Sequence, residues 1–257
     1  MDVSILIVTY NAANFIGTCL RSIYSHNIGL RFEVIVVDNA SKDGSPQFIR
    51  RHFQQVKLIE NAKNLGFAKA ANIAYEKSRS EFCLFMNPDI IIQPGSIRNL
   101  WEYLLDHHDV AIVFPKLYNI DGSLQYSCRT FYTIPIVLLR RTSLGKLFPN
   151  SKIVRDHLMM NWDHNTPRAI DWALGASMMV RKSAVGNAKP FDERFFLYFE
   201  DVDLCYRMKM AGWSVMYNPE AEMIHHHVRH SAGKGLHRAK IQHLKSWIQF
   251  MFKHTWR

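Results

Sequence analysis

The chain has 257 residues, 48% of them hydrophobic and 21% charged, which excludes a disordered chain and leaves room for one large domain or two small ones. Its formal net charge of +10 suits polyanionic partners such as phosphate-bearing small molecules, anionic lipid headgroups or nucleic acid. The four cysteines form no CxxC pair, no apolar run approaches the ~20 residues of a membrane-spanning helix, and Met1-Asp2-Val3-Ser4 lacks the basic start of a signal peptide; structural zinc, a disulfide framework and a secreted chain are all unsupported, and a cytoplasmic location is expected.

Taken in order, Val3 to Val8 is a continuous β-branched run that reads as a strand buried on both faces. After the polar turn Thr9-Tyr10-Asn11, the residues Phe15, Ile16, Cys19, Leu20, Ile23 and Tyr24 recur at helical spacing. Phe32 to Val37 is a second strand, closed by Asp38-Asn39-Ala40-Ser41-Lys42-Asp43-Gly44, and Ser45-Pro46 reads as the N-cap and first residue of a short helix. Val56 to Ile59 is a third strand, and Gly66 leads into a helix with Ala70, Ala71, Ala74 and Tyr75 on one face. Phe82 to Met86 is a fourth strand, Pro94 opens a helix carrying Ile97, Leu100, Trp101, Leu104 and Leu105, and Ala111 to Phe114 is a fifth strand. This alternation predicts an α/β fold with an open, mostly parallel sheet and helices on both faces, whose ligands bind beyond the carboxyl ends of the strands. Between 118 and 170 the pattern weakens, and the stretch reads as an insertion, a lid or an acceptor-facing segment. Ala176 to Val180 resumes regular structure. Residues 236–257 read as a basic amphipathic helix, with Leu236, Ile241, Leu244, Trp247, Ile248 and Met251 at helical spacing among lysines and histidines, appended to a domain of residues 1–235.

Three successive strand ends carry polar groups. Thr9, Tyr10, Asp38 and Asn39 can supply hydrogen bonds and a flat wall for a nucleotide base and ribose. Asp89, in Asn87-Pro88-Asp89, stands where a carboxylate would hold a divalent cation against a diphosphate. Each cluster alone reads as a cap, but three at the ends of one sheet point to a site. Gly66 permits close backbone approach ahead of a helix N-terminus that favours anions. The strongest local signal is the aromatic run ending in Glu200-Asp201-Val202-Asp203. Clustered, partly desolvated carboxylates raise at least one pKa, as a general base for a hydroxyl requires. The competing reading is an acidic first turn answering the helix dipole, with Asp203 serving the helix and Asp201 the chemistry. His225-His226-His227, with His230 behind, can bind a metal, and alternation along a strand puts His225 and His227 on one face.

The segments VSILIVTYN, EVIVVDNASKDGS, NLGFAKAAN, FMNPDI, GASMMVRKSAV, FDERFFLYFEDVDLCYRMKMAGW and the histidine run occur in this order over nearly the whole chain. Together they resemble the inverting glycosyltransferases of family 2, which have the GT-A fold, and within them the rhamnosyltransferase-like members that build cell-surface polysaccharides. The resemblance implies that Thr9, Tyr10, Asn11, Asp38 and Asn39 hold the base and ribose, and that Asn64, Gly66, Phe67 and Asn87 line the donor pocket. It implies that Asp89 and His225 hold Mg²⁺ or Mn²⁺, that Asp201 is the catalytic base, and that Gly175, Ala176 and Glu200 approach the sugar or acceptor. The family's DxD motif is Asn-Pro-Asp here, leaving one carboxylate for the metal. The implied donor is dTDP-rhamnose, with UDP-hexoses or UDP-N-acetylhexosamines as the alternative. The implied acceptor is a glycan or a polyprenyl-linked glycolipid, and residues 236–257 read either as a peripheral contact with the membrane or as a helix packed on the catalytic domain. A nucleotidyltransferase would carry a glycine-rich basic loop after the first strand, which Thr9-Tyr10-Asn11-Ala12-Ala13 is not. A non-catalytic glycan-binding protein has little need of Glu200-Asp201-Val202-Asp203. Dispersed basic residues argue against a nucleic-acid partner.

Overall fold

The computed structural model describes all residues except 27, 142–147, 149–150, 227–235 and 255–257, and does not describe the side chains of 141 and 236–240. The strands are β1 (Val3–Thr9), β2 (Phe32–Asp38), β3 (Lys57–Glu60), β4 (Phe82–Met86), β5 (Ile90–Ile92), β6 (Val110–Tyr118), β7 (Cys128–Arg129), β8 (Arg168–Ala169), β9 (Trp172–Ala173), β10 (Ser177–Arg181) and β11 (Ser214–His225). The helices are α1 (Ala13–Tyr24), α2 (Ser45–His52), α3 (Phe67–Lys77), α4 (Ser96–Asp106), α5 (Ile134–Arg141), α6 (Lys152–His157), α7 (Lys182–Val185), α8 (Glu200–Met210) and α9 (Leu236–His254).

The main sheet runs β3-β2-β1-β4-β10-β6-β11-β5, with β8 on β11. β1 pairs in parallel with both β2 and β4, β2 with β3, and β6 with β11, whereas β10, β5 and β8 pair antiparallel to their neighbours. Successive residues of each central strand face opposite sides. Ile5, Ile7, Val34, Val36 and Leu84 join one core with Ile16, Leu20 and Ile23 of α1 and Leu100 and Leu104 of α4. Leu6, Val37 and Phe85 join the other, with Ala71 and Ala74 of α3, Val202 and Leu204 of α8 and Phe250 of α9. That period of two is why the central strands read as unbroken apolar runs.

The expected α/β architecture is present, with helices over both faces. Several details differ. Gly44, in a left-handed conformation, precedes α2, so Ser45 is its first residue, and Asp43 Oδ1 accepts the Ser45 N–H. α4 begins at Ser96, two residues after Pro94. The sequence pattern misses β5, three residues long, and β11, the longest strand. β11 contains Pro219, and its pairing with β6 shifts register between Asn218 and Glu222, which breaks the alternation that would mark a strand.

From the 118–170 stretch, β7 pairs with β9 just beyond it in a two-stranded sheet, and Tyr132 packs its ring 5.2 Å from that of Phe199. The expected C-terminal helix forms as α9. One face packs on the sheet domain through Phe250 and the buried Ser246, whose Oγ donates to Leu197 O (2.9 Å). The other face exposes Ile241, Leu244, Ile248 and Phe252.

Candidate active site

β2 and β3 lie on one side of β1 and β4 on the other, so the chain reverses its direction of travel at the β1/β4 crevice, where an open α/β sheet binds its ligand. An open cleft of about 250 Å³ lies there, lined by Tyr10 and Asn11 after β1, Asn87 to Asp89 after β4, and Asn39, Asn64, Gly66 and Phe67. Phe15, Phe196 and Leu197 complete the wall. The sequence reading did not include these three, although Phe196 and Leu197 belong to the aromatic run before Glu200, where the signal lay.

The residues expected around a nucleotide divide into two groups. Tyr10 is half exposed and contributes a ring to the cleft. Thr9 and Asp38 are buried at their strand ends and do not line it. Asn39 is occupied internally: Nδ2 donates to Asn64 Oδ1 (3.1 Å) and Gly66 O (3.0 Å), while Oδ1 accepts from Asn61 Nδ2 (3.0 Å) and Leu65 N–H (3.0 Å). That uses the full capacity of an amide, so Asn39 shapes the 61–66 loop. Asn11, at φ 50°, likewise ties its loop to the next, accepting Lys42 N–H at Oδ1 (2.8 Å) and donating its own N–H to Ser41 Oγ (2.8 Å). Gly66 adopts φ +83°, and a methyl group there would come within 2.5 Å of the Phe196 carbonyl oxygen. Glycine thus lets the Asn64–Phe67 turn meet the aromatic run, where Phe67 N–H donates to Phe196 O (2.9 Å).

Asp89 and His225 meet because β5 and β11 pair antiparallel with His225 opposite Ile90. His226 N–H donates to Asp89 O (2.9 Å), and His225 Nε2 lies 3.6 Å from Asp89 Oδ2. His226 turns towards Phe15, with rings 5.4 Å apart. β11 ends at His225, and His227 and His230 lie outside the described residues. No cluster of three or more His, Cys, Asp or Glu side chains suited to a metal exists among the described residues. The Asp89–His225 pair nevertheless fits a divalent cation. Asp89 Oδ1 is buried without a hydrogen-bond partner among the described residues, and a cation such as Mg²⁺ takes few protein ligands when substrate phosphates and water supply the rest.

Asp201 sits in the first turn of α8. Its Oδ2 accepts the Gly175 N–H (2.9 Å) and its Oδ1 the Val202 N–H (2.8 Å). A methyl group on Gly175 would approach Asp201 Cβ and Oδ2 to 3.0 Å, so the Asp201 carboxylate and the backbone need that residue small. The next residue, Ala176, accepts the Asn87 N–H through its carbonyl (2.8 Å), joining Asp201 to the strand end that carries Asp89. Burial raises the Asp201 pKa against the pull of its two backbone donors. Glu200 is raised well above the ordinary range by burial and then by the Asp201 charge, and its Oε2 has no partner among the described residues. The two N–H donors favour the ionised form of Asp201, whereas burial and the neighbouring charge favour the protonated form of Glu200. Thr9 Oγ1 and Asp38 Oδ1, at adjacent strand ends, are likewise buried and unpartnered among the described residues.

Asp203, fully buried, has a structural role. It pairs with Arg207 in α8 (2.8 Å) and with Lys253 (2.6 Å) and His254 (2.8 Å) in α9. Just upstream, Tyr198 and Phe199 both adopt φ 70°, a region costly for aromatic residues. The Phe199 ring is held by Tyr132, His243 and Phe250.

The family model described as glycosyl transferase family 2 matches residues 4–173. The N-acetylglucosaminyl-diphospho-decaprenol L-rhamnosyltransferase of Mycobacterium tuberculosis is 31% identical over 232 residues, 85% of this chain and 74% of that protein. Rhamnosyltransferase WbbL of Escherichia coli K12 is 26% identical, covering 97% of this chain and 92% of its own. Among solved structures, GalNAc-T7 with UDP, GalNAc and Mn²⁺ superimposes with a TM-score of 0.68 at 13% identity, over 97% of this chain and 48% of that one, which establishes a shared GT-A fold.

Proposed function

The chain belongs to glycosyl transferase family 2, and from that premise we propose that it moves L-rhamnose from dTDP-rhamnose to a hydroxyl of a polyprenyl-linked glycan, inverting the anomeric carbon. The choice of sugar and acceptor is supported by the mycobacterial and E. coli relatives. The observation that carries the chemistry is the link from Asp201, through Gly175-Ala176, to Asn87 and the cleft containing Asp89.

In this reading Tyr10, Phe67, Phe196 and Leu197 enclose the nucleotide and sugar. Asp201 accepts the proton of the acceptor hydroxyl as its oxygen attacks the anomeric carbon. The bond from that carbon to the diphosphate oxygen breaks on the opposite face, and the electron pair leaves with dTDP. Asp89 and His225 would hold Mg²⁺ or Mn²⁺, whose charge offsets that of the departing diphosphate. Glu200, protonated, can donate a hydrogen bond to a sugar or acceptor oxygen without adding charge.

Thermal unfolding with dTDP, dTDP-rhamnose, UDP and UDP-hexoses, with and without Mg²⁺ or Mn²⁺, tests the donor. A ligand at 100 times its Kd stabilises the native state by about 2.7 kcal/mol. A metal-dependent shift is expected with dTDP-rhamnose and is expected to disappear in Asp89→Ala. A shift confined to UDP ligands would replace the rhamnosyl reading with a UDP-hexose or UDP-N-acetylhexosamine one.

No helix among the described residues is long and apolar enough to cross a membrane. The stripe Ile241, Leu244, Ile248 and Phe252 on α9, with the exposed Lys245 beside it, instead suits the surface of an anionic bilayer that carries the acceptor. Sedimentation with phosphatidylglycerol vesicles is expected to carry down the wild-type protein and much less of the Ile241→Ser/Leu244→Ser/Ile248→Ser variant. Equal sedimentation of the two would remove the membrane from the account.

A further inference from the structure

The turn after β6 contains a directional chain of polar groups that ends on the ring of His225. Its far end is the Asp121 carboxylate, which is exposed and accepts two bonds from Ser123, one from Oγ (2.6 Å) and one from N–H (2.9 Å). Those bonds hold the Asp121 pKa below the usual carboxylate value, so this end of the chain only accepts. With its proton directed at Asp121, Ser123 Oγ accepts from Asn119 Nδ2 (2.9 Å). The amide orientation of Asn119 is thereby fixed, and its Oδ1 accepts from Gln125 Nε2 (2.9 Å). Gln125 Oε1 is then the atom that faces His225 Nδ1, at 2.8 Å. The backbone supports the same arrangement: Asn119 N–H donates to Ser123 O (2.8 Å) and Gln125 N–H to Leu117 O (2.8 Å).

An amide oxygen has no proton to give, so the proton of the neutral ring lies on Nδ1 and the lone pair on Nε2. Nε2 is the nitrogen 3.6 Å from Asp89 Oδ2. A divalent cation placed between the Nε2 lone pair and the Asp89 carboxylate would be held by both. Outer groups that orient a metal-binding histidine in this way are worth roughly 10–100-fold in affinity.

We propose that Gln125 is a positioning residue of the cation site: directed by Asn119, Ser123 and Asp121, its amide oxygen keeps the His225 proton on Nδ1 and presents the Nε2 lone pair to a divalent cation shared with Asp89. The cation part rests on the transferase reading, while the tautomer is a property of the chain alone. The turn between β6 and β7 thus serves the site through His225.

The test uses the full chain labelled with ¹⁵N-histidine, at about pH 8 and without metal, where ring-nitrogen NMR distinguishes the two neutral tautomers and the imidazolium. His225→Gln identifies the His225 signals by their loss. The wild type is expected to show the Nδ1–H tautomer. Gln125→Glu, which keeps an acceptor, is expected to retain it, and Gln125→Leu to lose it for a mixture. Mn²⁺ titration followed by electron paramagnetic resonance, with UDP present, is expected to show affinity falling roughly 10–100-fold in Gln125→Leu and staying within about threefold of wild type in Gln125→Glu. A wild-type Nε2–H ring, or Mn²⁺ affinity unchanged in Gln125→Leu, overturns the proposal. Neither readout requires sugar transfer, so a wrong donor or acceptor leaves the result legible.

Discussion

Asp201→Asn is expected to lower kcat by about 10²–10⁴-fold, the range for loss of a positioned general base, while the metal-dependent donor shift in thermal unfolding remains. Glu200→Gln is expected to stay within about tenfold of wild type, because glutamine reproduces the neutral state in which burial and the Asp201 charge keep Glu200. The comparison separates two adjacent acids that the sequence alone does not distinguish. Falling pH protonates Asp201 and removes the base, so kcat/KM declines on the acid side, with a midpoint above the ordinary Asp value of about 3.9 because burial raises this group. Glu200 has a raised folded pKa, so its contribution to stability is complete below the ordinary Glu value and is lost as pH rises through the folded one. Glu200→Gln is expected to abolish that loss in urea denaturation at a series of pH values. If Glu200→Gln were as inactive as Asp201→Asn, the division of roles would be wrong.

The second large effect is on stability. Asp203→Ala removes the acceptor shared by Arg207, Lys253 and His254 and is expected to cost about 3–5 kcal/mol, the range for breaking a buried ion pair from one side. Urea denaturation measures this as a lower midpoint at unchanged slope. Lys253→Met is expected to cost clearly less, because Arg207 and His254 still face the carboxylate and Asp192 retains Arg194. A cost below about 1 kcal/mol for Asp203→Ala would mean that α9 is not held to α8 by charge. The same contacts make removal of residues 236–257 a poor probe of membrane binding, since it takes Phe250 from behind Phe199 and two partners from Asp203. Serine substitutions on the exposed face avoid both.

Local pattern in the sequence was enough for the strands that form the cleft. β1, β2 and β4 are buried on both faces, so each is a short apolar run ending in polar residues, and the strand ends announce Tyr10, Asn11, Asn87 and Asp89. What local pattern does not reveal is partnership. Nothing near Asn39 in the sequence says that its amide is consumed by Asn61, Asn64, Leu65 and Gly66. Gln125 gives no signal at all: it acts by hydrogen bonding across 100 residues to His225, and an amide in a turn looks like any solvated loop residue. β11 escaped because Pro219 and the register shift interrupt its alternation, although this strand brings His225 to Asp89. The family resemblance supplied roles for these positions, and hydrogen bonds distinguish those that can face a ligand from those already engaged within the protein.

The aromatic run has one further consequence. Phe196 and Leu197 form part of the cleft wall, and Asp201 follows only four residues after Leu197, across the two left-handed residues Tyr198 and Phe199. On the proposed reading, substrate choice and proton removal therefore share a single stretch of chain. A redesign that enlarges the pocket at Phe196 or Leu197 to admit a bulkier sugar also moves the anchor of the base. In that reading selectivity and turnover are coupled, and a change of donor calls for compensating changes behind Phe199, because Gly175 has no room for a larger side chain.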